Sequence, residues 1–175
     1  VSAAELNCVV GTQGTDDCAN ATANERDFCN RRGSLEWEKR DGSVASNPLQ
    51  GGATFTVSPN PDACVDADAI GADDVDPITV VDNGANDDTA TDGVIEVGPA
   101  CLANYTITET AAPAGYALDD DTTRACTVTA TALSCVVGIQ GTDDCAFVTP
   151  NPTTDEQDFC NRRGSLEWEK RDGSV

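Results

Sequence analysis

The chain repeats itself, and this constrains it more than any other feature. Asp27 to Val44 reads DFCNRRGSLEWEKRDGSV, and Asp158 to Val175 repeats all 18 residues unchanged. Upstream, Cys8 to Ala19 matches Cys135 to Ala146 at 11 of 12 positions. The offset is 127 residues in the earlier block and 131 in the later one. Four residues are therefore inserted between Phe147 and Asp155, in a Pro- and Thr-containing stretch that reads as a loop. One copy is about 130 residues long. The expected organisation is the C-terminal part of a preceding repeat over 1–33, one complete repeat over 34–163, and the first strand of a following repeat over 164–175.

Short β-branched runs dominate the complete copy, punctuated by Gly, Pro, Asn and Asp. They predict strands at Ser34–Arg40, Ala53–Ser58, Ile78–Val81, Val94–Val97, Asn104–Thr110, Ala125–Ala130, Ser134–Val137 and Asp158–Arg162. Seven or eight short strands with no amphipathic helix indicate an all-β sandwich. The apolar content is thin for such a fold. Leu, Ile, Val and Phe make up 32 of 175 residues, against a formal net charge of -21. That combination belongs to chains that stay unfolded unless something besides apolar burial holds them. Disulfides, bound ions or another covalent link are the candidates.

Period-two alternation places three polar residues inward. Leu35, Trp37 and Lys39 share one face of the first strand, and Glu36, Glu38 and Arg40 share the other. The apolar face is the buried one, so Lys39 points at the core. By the same count Glu109 follows Tyr105 and Ile107 inward, and Asn161 follows Phe159. Buried charges are costly unless paired. The only lysines are Lys39 and Lys170, which occupy one repeat position. Lys is the basic side chain whose pKa falls readily on burial, which frees its amine as a nucleophile.

GSLEWEKRDGS, GGATFTV, YTITETAAPAGY and the FCN before the next GSLEWEK occur in that order. Together they resemble the collagen-adhesin B-type, or prealbumin-like, repeat domains of Gram-positive surface adhesins and pilins. The most specific piece is the E-T-x-A-P-x-G-Y run from Glu109 to Tyr116. The resemblance implies an immunoglobulin-like or prealbumin-like β-sandwich in tandem repeats. It also implies an internal isopeptide bond between a Lys of the first strand and an Asn of the last, assisted by a Glu of a central strand. Carried onto this chain, these are Lys39, Asn161 and Glu109. Asn30 and Lys170 would find their partners in neighbouring repeats.

The complete copy carries six cysteines, and Cys8, Cys18 and Cys29 repeat its last three. An even number per copy suggests disulfides and an oxidising compartment. Cys135 and Cys145 flank a Gly-rich turn and could close it locally, as could Cys8 and Cys18. Cys64, Cys101, Cys126 and Cys160 then allow three pairings, of which Cys64–Cys101 with Cys126–Cys160 is preferred. No basic residue lies between Arg40 and Arg124, a stretch with 14 Asp and 2 Glu. Clustered carboxylates at Asp82, Asp87, Asp88 and Asp92 are candidate calcium ligands. A solvated acidic surface is the favoured reading.

These features exclude several function classes. Phosphate binding needs clustered Lys and Arg, so a nucleic-acid partner is not expected. No apolar run approaches a membrane span. With no His, and no Ser or Cys nucleophile beside a base, an enzyme is not expected beyond the single-turnover cross-link. No cofactor is expected, calcium being the possible exception. The expectation is a structural stalk or fibre at the cell surface or cell wall, whose partners are neighbouring copies or subunits. The alternative is a ligand-binding surface adhesin, with calcium-dependent binding to a surface ligand.

Overall fold

Every run singled out by its β-branched content forms a strand in the computed structural model. The structure describes residues 31–64, 75–118, 121–138, 145, 158–164 and 166–171. The chain divides into two compact units, Val1–Arg31 and Arg32–Val175, and the second holds all the strands below. They are β1 Gly33–Asp41, β2 Thr54–Ser58, β3 Ile78–Val81, β4 Val94–Ala100, β5 Asn104–Ala111, β6 Thr123–Thr127, β7 Ser134–Val136 and β8 Phe159–Asn161.

They pair into two four-stranded sheets. One has the order β3-β2-β5-β6, all antiparallel. The other is built around β1, which pairs with β4 antiparallel and with both β7 and β8 parallel. β7 lies along the first half of β1, from Ser34 to Glu36, and β8 along the second half, from Lys39 to Asp41. The two short strands therefore run end to end on one flank of β1. Because β8 is parallel to β1, the chain enters the sandwich at one pole and leaves it at the other.

The core lies between the sheets. Leu35, Trp37, Phe55, Val57, Ile95, Ile107 and Phe159 are fully or almost fully buried in it. Trp37, Phe55 and Phe159 pack edge to face, with centroids 5.3 and 5.0 Å apart, which adds to the stabilisation from burial. Beyond Trp37 the outer face of β1 is buried as well, a feature that alternation does not show. Glu38 and Arg40 point away from the core, yet only 2% and 6% of their surface is exposed. Segments on either side fold over them. Arg40 donates to the Asn47 carbonyl at 2.9 Å and pairs with Asp158 at 2.9 Å and with Glu38. A buried guanidinium is tolerable because its fork is filled.

The disulfide pattern departs from expectation. Cys64 joins Cys101, but Cys126 joins Cys135 and Cys145 joins Cys160. The local Cys135–Cys145 bridge and the Cys126–Cys160 bridge are therefore both corrected. The reason is topological. Cys126 lies on β6 of one sheet and Cys135 on β7 of the other, at the edge where the sheets meet, with Cα atoms 5.9 Å apart. Cys145 is held beside β8, its carbonyl accepting from Asn47 Nδ2 at 2.7 Å. Its Cα lies 5.9 Å from that of Cys160, within bonding range. Cys8, Cys18 and Cys29 lie outside the described residues.

Candidate functional site

Lys39, Glu109 and Asn161 come from three strands and both sheets, and are exposed by only 0%, 2% and 0%. Each reaches the interior for a local reason. Lys39 continues the face of Leu35 and Trp37. Glu109 stands opposite Phe55 in the β2–β5 register, and Asn161 opposite Asp41 in the β1–β8 register. The Lys39 Nζ lies 4.0 Å from Glu109 Oε1. It donates to the Phe159 and Arg40 carbonyls, each at 3.1 Å. The first of these belongs to β8, two residues before Asn161, so the amine is already aimed at that strand.

The Asn161 carboxamide is held from its nitrogen side. Its Nδ2 donates to the Ala117 carbonyl at 2.9 Å, while its Oδ1 is buried with no hydrogen-bond partner among the described residues. Its backbone carbonyl accepts from Gly42 N at 2.8 Å. Ala117 follows directly on Tyr116, the end of the motif run that began at Glu109. That run therefore supplies both the carboxyl and the main-chain anchor of the amide.

Lys39 is also fixed through its backbone. Its amide donates to the Gly93 carbonyl at 2.8 Å. Gly93 has φ +74°, and a Cβ there would stand 2.7 Å from the Lys39 carbonyl, so only glycine fits. Over the site sits a polar cap. Tyr116 donates to Asp41 Oδ2 at 2.7 Å, Ser43 N to Asp41 Oδ1 at 2.8 Å, and Arg163 to Asp41 Oδ2 at 3.3 Å. Burial pushes the Asp41 carboxyl up, but these hydrogen bonds and the Arg163 charge outweigh it and hold it below its usual range.

Within the acidic quartet, Asp87 and Asp92 lie close enough to Asp82 for their charges to act on its carboxyl. Among the described residues no three His, Cys, Asp or Glu side chains converge on a metal position. Asp82, Asp87, Asp88 and Asp92 are held by donors of the protein itself. Each already accepts a hydrogen bond. Asp82 takes Gly52 N at 2.7 Å, Asp87 takes Asn83 N at 2.8 Å and Asp88 takes Gly98 N at 2.8 Å. Asp92 takes Asn83 Nδ2 at 2.6 Å. Asp82 also accepts from Gly93 N at 3.3 Å, which ties it indirectly to Lys39. Burial, the first cause, together with nearby Asp87 and Asp92, holds its carboxyl above the usual range.

Asn30 lies outside the described residues. Lys170 is exposed, as are Leu166 at 82% and Trp168 at 79%, the counterparts of fully buried Leu35 and Trp37. Missing from the sequence reading were the buried Arg40–Asp158 pair and the Tyr116–Asp41–Arg163 cap. Tyr116 was visible as the last residue of the motif run; Asp158 had no signal beyond its place before Phe159.

The profile of the SpaA prealbumin-like fold domain matches residues 33–142. Several solved structures are similar. The Bacillus anthracis TIE protein is 21% identical, with 76% of this chain and 17% of that one covered and a TM-score of 0.44. BcpA, the major pilin subunit of Bacillus cereus, is 20% identical over 62% of this chain and 29% of that one, with a TM-score of 0.39. The group B streptococcus pilus 2b backbone protein is 18% identical over 83% and 47%, with a TM-score of 0.40. The chain thus spans less than half the length of each. No curated protein matches the sequence. The profile covers more than half of the chain, including β1, β5 and the motif run that starts in β5, and by it the chain belongs to the SpaA family of prealbumin-like fold domains.

Proposed function

We propose that this chain is part of an extracellular stalk or fibre at a bacterial cell surface, built from tandem sandwich repeats and stiffened by a Lys39–Asn161 isopeptide bond. Residues 34–163 are one complete repeat, 1–33 close the preceding one and 164–175 open the next. The observation that carries the reading is the desolvated Lys39–Glu109 pair, 4.0 Å apart, with Asn161 on the strand to which the amine already donates.

The chemistry is a single turnover. Burial favours the neutral amine and the protonated carboxyl over the charged pair. Glu109 donates to the Asn161 carboxamide and polarises it. The amine of Lys39 attacks Asn161 Cγ, a new C–N bond forms, and the old one to Nδ2 breaks. Glu109 relays the proton, and ammonia leaves. Folding supplies the proximity that makes an unactivated amide reactive.

The bond joins the strand where tension enters to the strand where it leaves. Force would run from Gly33 along β1 to Lys39, cross to Asn161 and exit, bypassing the chain between. Closing that 122-residue loop also removes unfolded-state entropy, by about 5 kcal/mol if it acts like a disulfide. This offsets the thin apolar core.

Intact mass after full reduction tests the reading. The folded chain is expected to be lighter than its sequence by one ammonia, and Lys39→Arg and Glu109→Ala variants to regain it. Full mass in the parent chain would remove the cross-link from the proposal and leave the disulfides as its only covalent ties.

A further inference from the structure

One arginine position is visible twice in this chain, with different partners each time. Arg32, just before β1, pairs with Asp62 at 2.6 Å. Arg163, 131 residues later and just after β8, pairs with Asp41 at 3.3 Å. It also stacks on Tyr116, 5.3 Å from the ring centroid, and its backbone N–H donates to Ser43 Oγ at 2.6 Å. Asp62 belongs to the pole where β1 enters the sandwich, and Asp41, Ser43 and Tyr116 to the pole where β8 leaves it. The repeat thus shows one residue type meeting both ends of the same domain.

We propose that this arginine clamps consecutive copies together. Arg163 holds Asp41 and Tyr116 of the copy it closes and, with the free edge of its fork, the counterpart of Asp62 in the copy it opens. The partner surface is therefore the entry pole of a second copy of this domain. The inference rests on the tandem reading above, but not on the isopeptide bond.

Three physical points support it. First, only Arg162 and Arg163 separate Asn161 from Gly164, the counterpart of Gly33 at the start of β1. Those residues span at most about 10 Å, so the two poles must come within side-chain reach. Second, a guanidinium presents five donors in a planar fork and can serve two carboxylates while its face stacks on a ring. Arg163 is still 52% exposed, and Asp62 68%, so both retain capacity. Third, each pole exposes an apolar residue beside the clamp: Val44 at 37% next to Ser43, and Leu102 at 48% next to Cys101, whose disulfide partner Cys64 is two residues from Asp62. A single exposed ion pair contributes little. A stacked, bivalent arginine on a two-residue link, flanked by apolar contacts, restricts orientation far more.

The test uses a chain with two complete copies joined by the native Asn161-Arg-Arg-Gly-Ser165 link. One spin label in each copy reports the distance distribution between them. A single narrow distribution is expected, lost in Arg163→Ala and equally in Asp62→Asn made in the second copy alone. Arg163→Lys should also lose it, because an ammonium cannot fork and stack. A broad distribution in the parent, or a narrow one surviving all three changes, overturns the clamp. Thermal midpoints of the variants verify folding. Should Arg163→Ala fail to fold, the Asp62→Asn variant decides. Intact mass on the same samples separates the two proposals. A narrow distribution without ammonia loss upholds the clamp and ends the isopeptide reading.

Discussion

Glu36 and Asp41 stand five residues apart on the same strand, and their carboxyls are pushed in opposite directions. Glu36 is raised by burial first, then by Glu96, directly opposite on β4, and by Glu38. A carboxyl raised by folding prefers its proton. Its ionised form therefore costs stability above the ordinary range, and that cost disappears as pH falls through the raised value. Glu36→Gln should stabilise the domain at pH 7 by a few tenths to about 1 kcal/mol and do nothing at pH 3. Asp41 is depressed, so its contribution is present at neutral pH and is lost as pH falls below the ordinary carboxylate range. Asp41→Asn should cost about 1–2 kcal/mol at pH 7, and the difference from the parent should vanish in acid. Thermal melts of both variants across pH 2–8 separate the two signs, and parallel curves would refute the assignment. These opposed shifts were not legible in the sequence, where Glu36 and Asp41 are two acids among 31. Their difference comes from what lies across the strand: a like charge for one, Tyr116, Ser43 and Arg163 for the other.

At the scale of elements, the three disulfides close loops of different length. Cys126 and Cys135 are 9 residues apart, Cys145 and Cys160 15, and Cys64 and Cys101 37. On loop-closure entropy alone these contribute about 2.7, 3 and 4 kcal/mol respectively. Replacing Cys64 and Cys101 together by Ala should therefore lower stability about 1 kcal/mol more than replacing Cys126 and Cys135. Denaturant midpoints of the two double variants check the order. The reverse order would show that tying the sheets together at β6–β7 outweighs loop length. The strands themselves were legible from their β-branched runs: all eight form, although β6 runs over Thr123–Thr127 rather than the expected Ala125–Ala130. Pairing was not. A run of sequence shows which residues share a face, but not that β7 and β8 share one flank of β1. That arrangement alone brings Cys160 to Cys145 and Cys126 to Cys135.

At the scale of the whole repeat, parallel β1 and β8 decide the mechanical behaviour. Pulling on the two poles would load the proposed Lys39–Asn161 bond along the chain rather than peel strands apart. In single-molecule extension under reducing conditions, the parent repeat should show no long unfolding step between those residues. Lys39→Arg should release up to roughly 400 Å of contour for its 122-residue loop. A long step in the parent would show that the bond is missing from the force path. Leu166 and Trp168 belong to the same scale. Their side chains are those that β1 buries completely, and they stand exposed beyond β8. The proposed following repeat would bury them by contributing its own β2, β4 and β5.

The sequence by itself determined the repeat, the strands and the inward direction of Lys39, Glu109 and Asn161, because alternation along a strand is a property of neighbouring residues. It also located the motif run, which ends at the tyrosine capping the site. The tertiary structure decided what depends on residues far apart in the chain. It paired four of the six cysteines differently, buried Arg40 on the supposedly outer face, and gave Asp82, Asp87, Asp88 and Asp92 hydrogen-bond donors of their own chain. A carboxylate count fixes charge, but only the path of the backbone settles which donors reach each carboxylate.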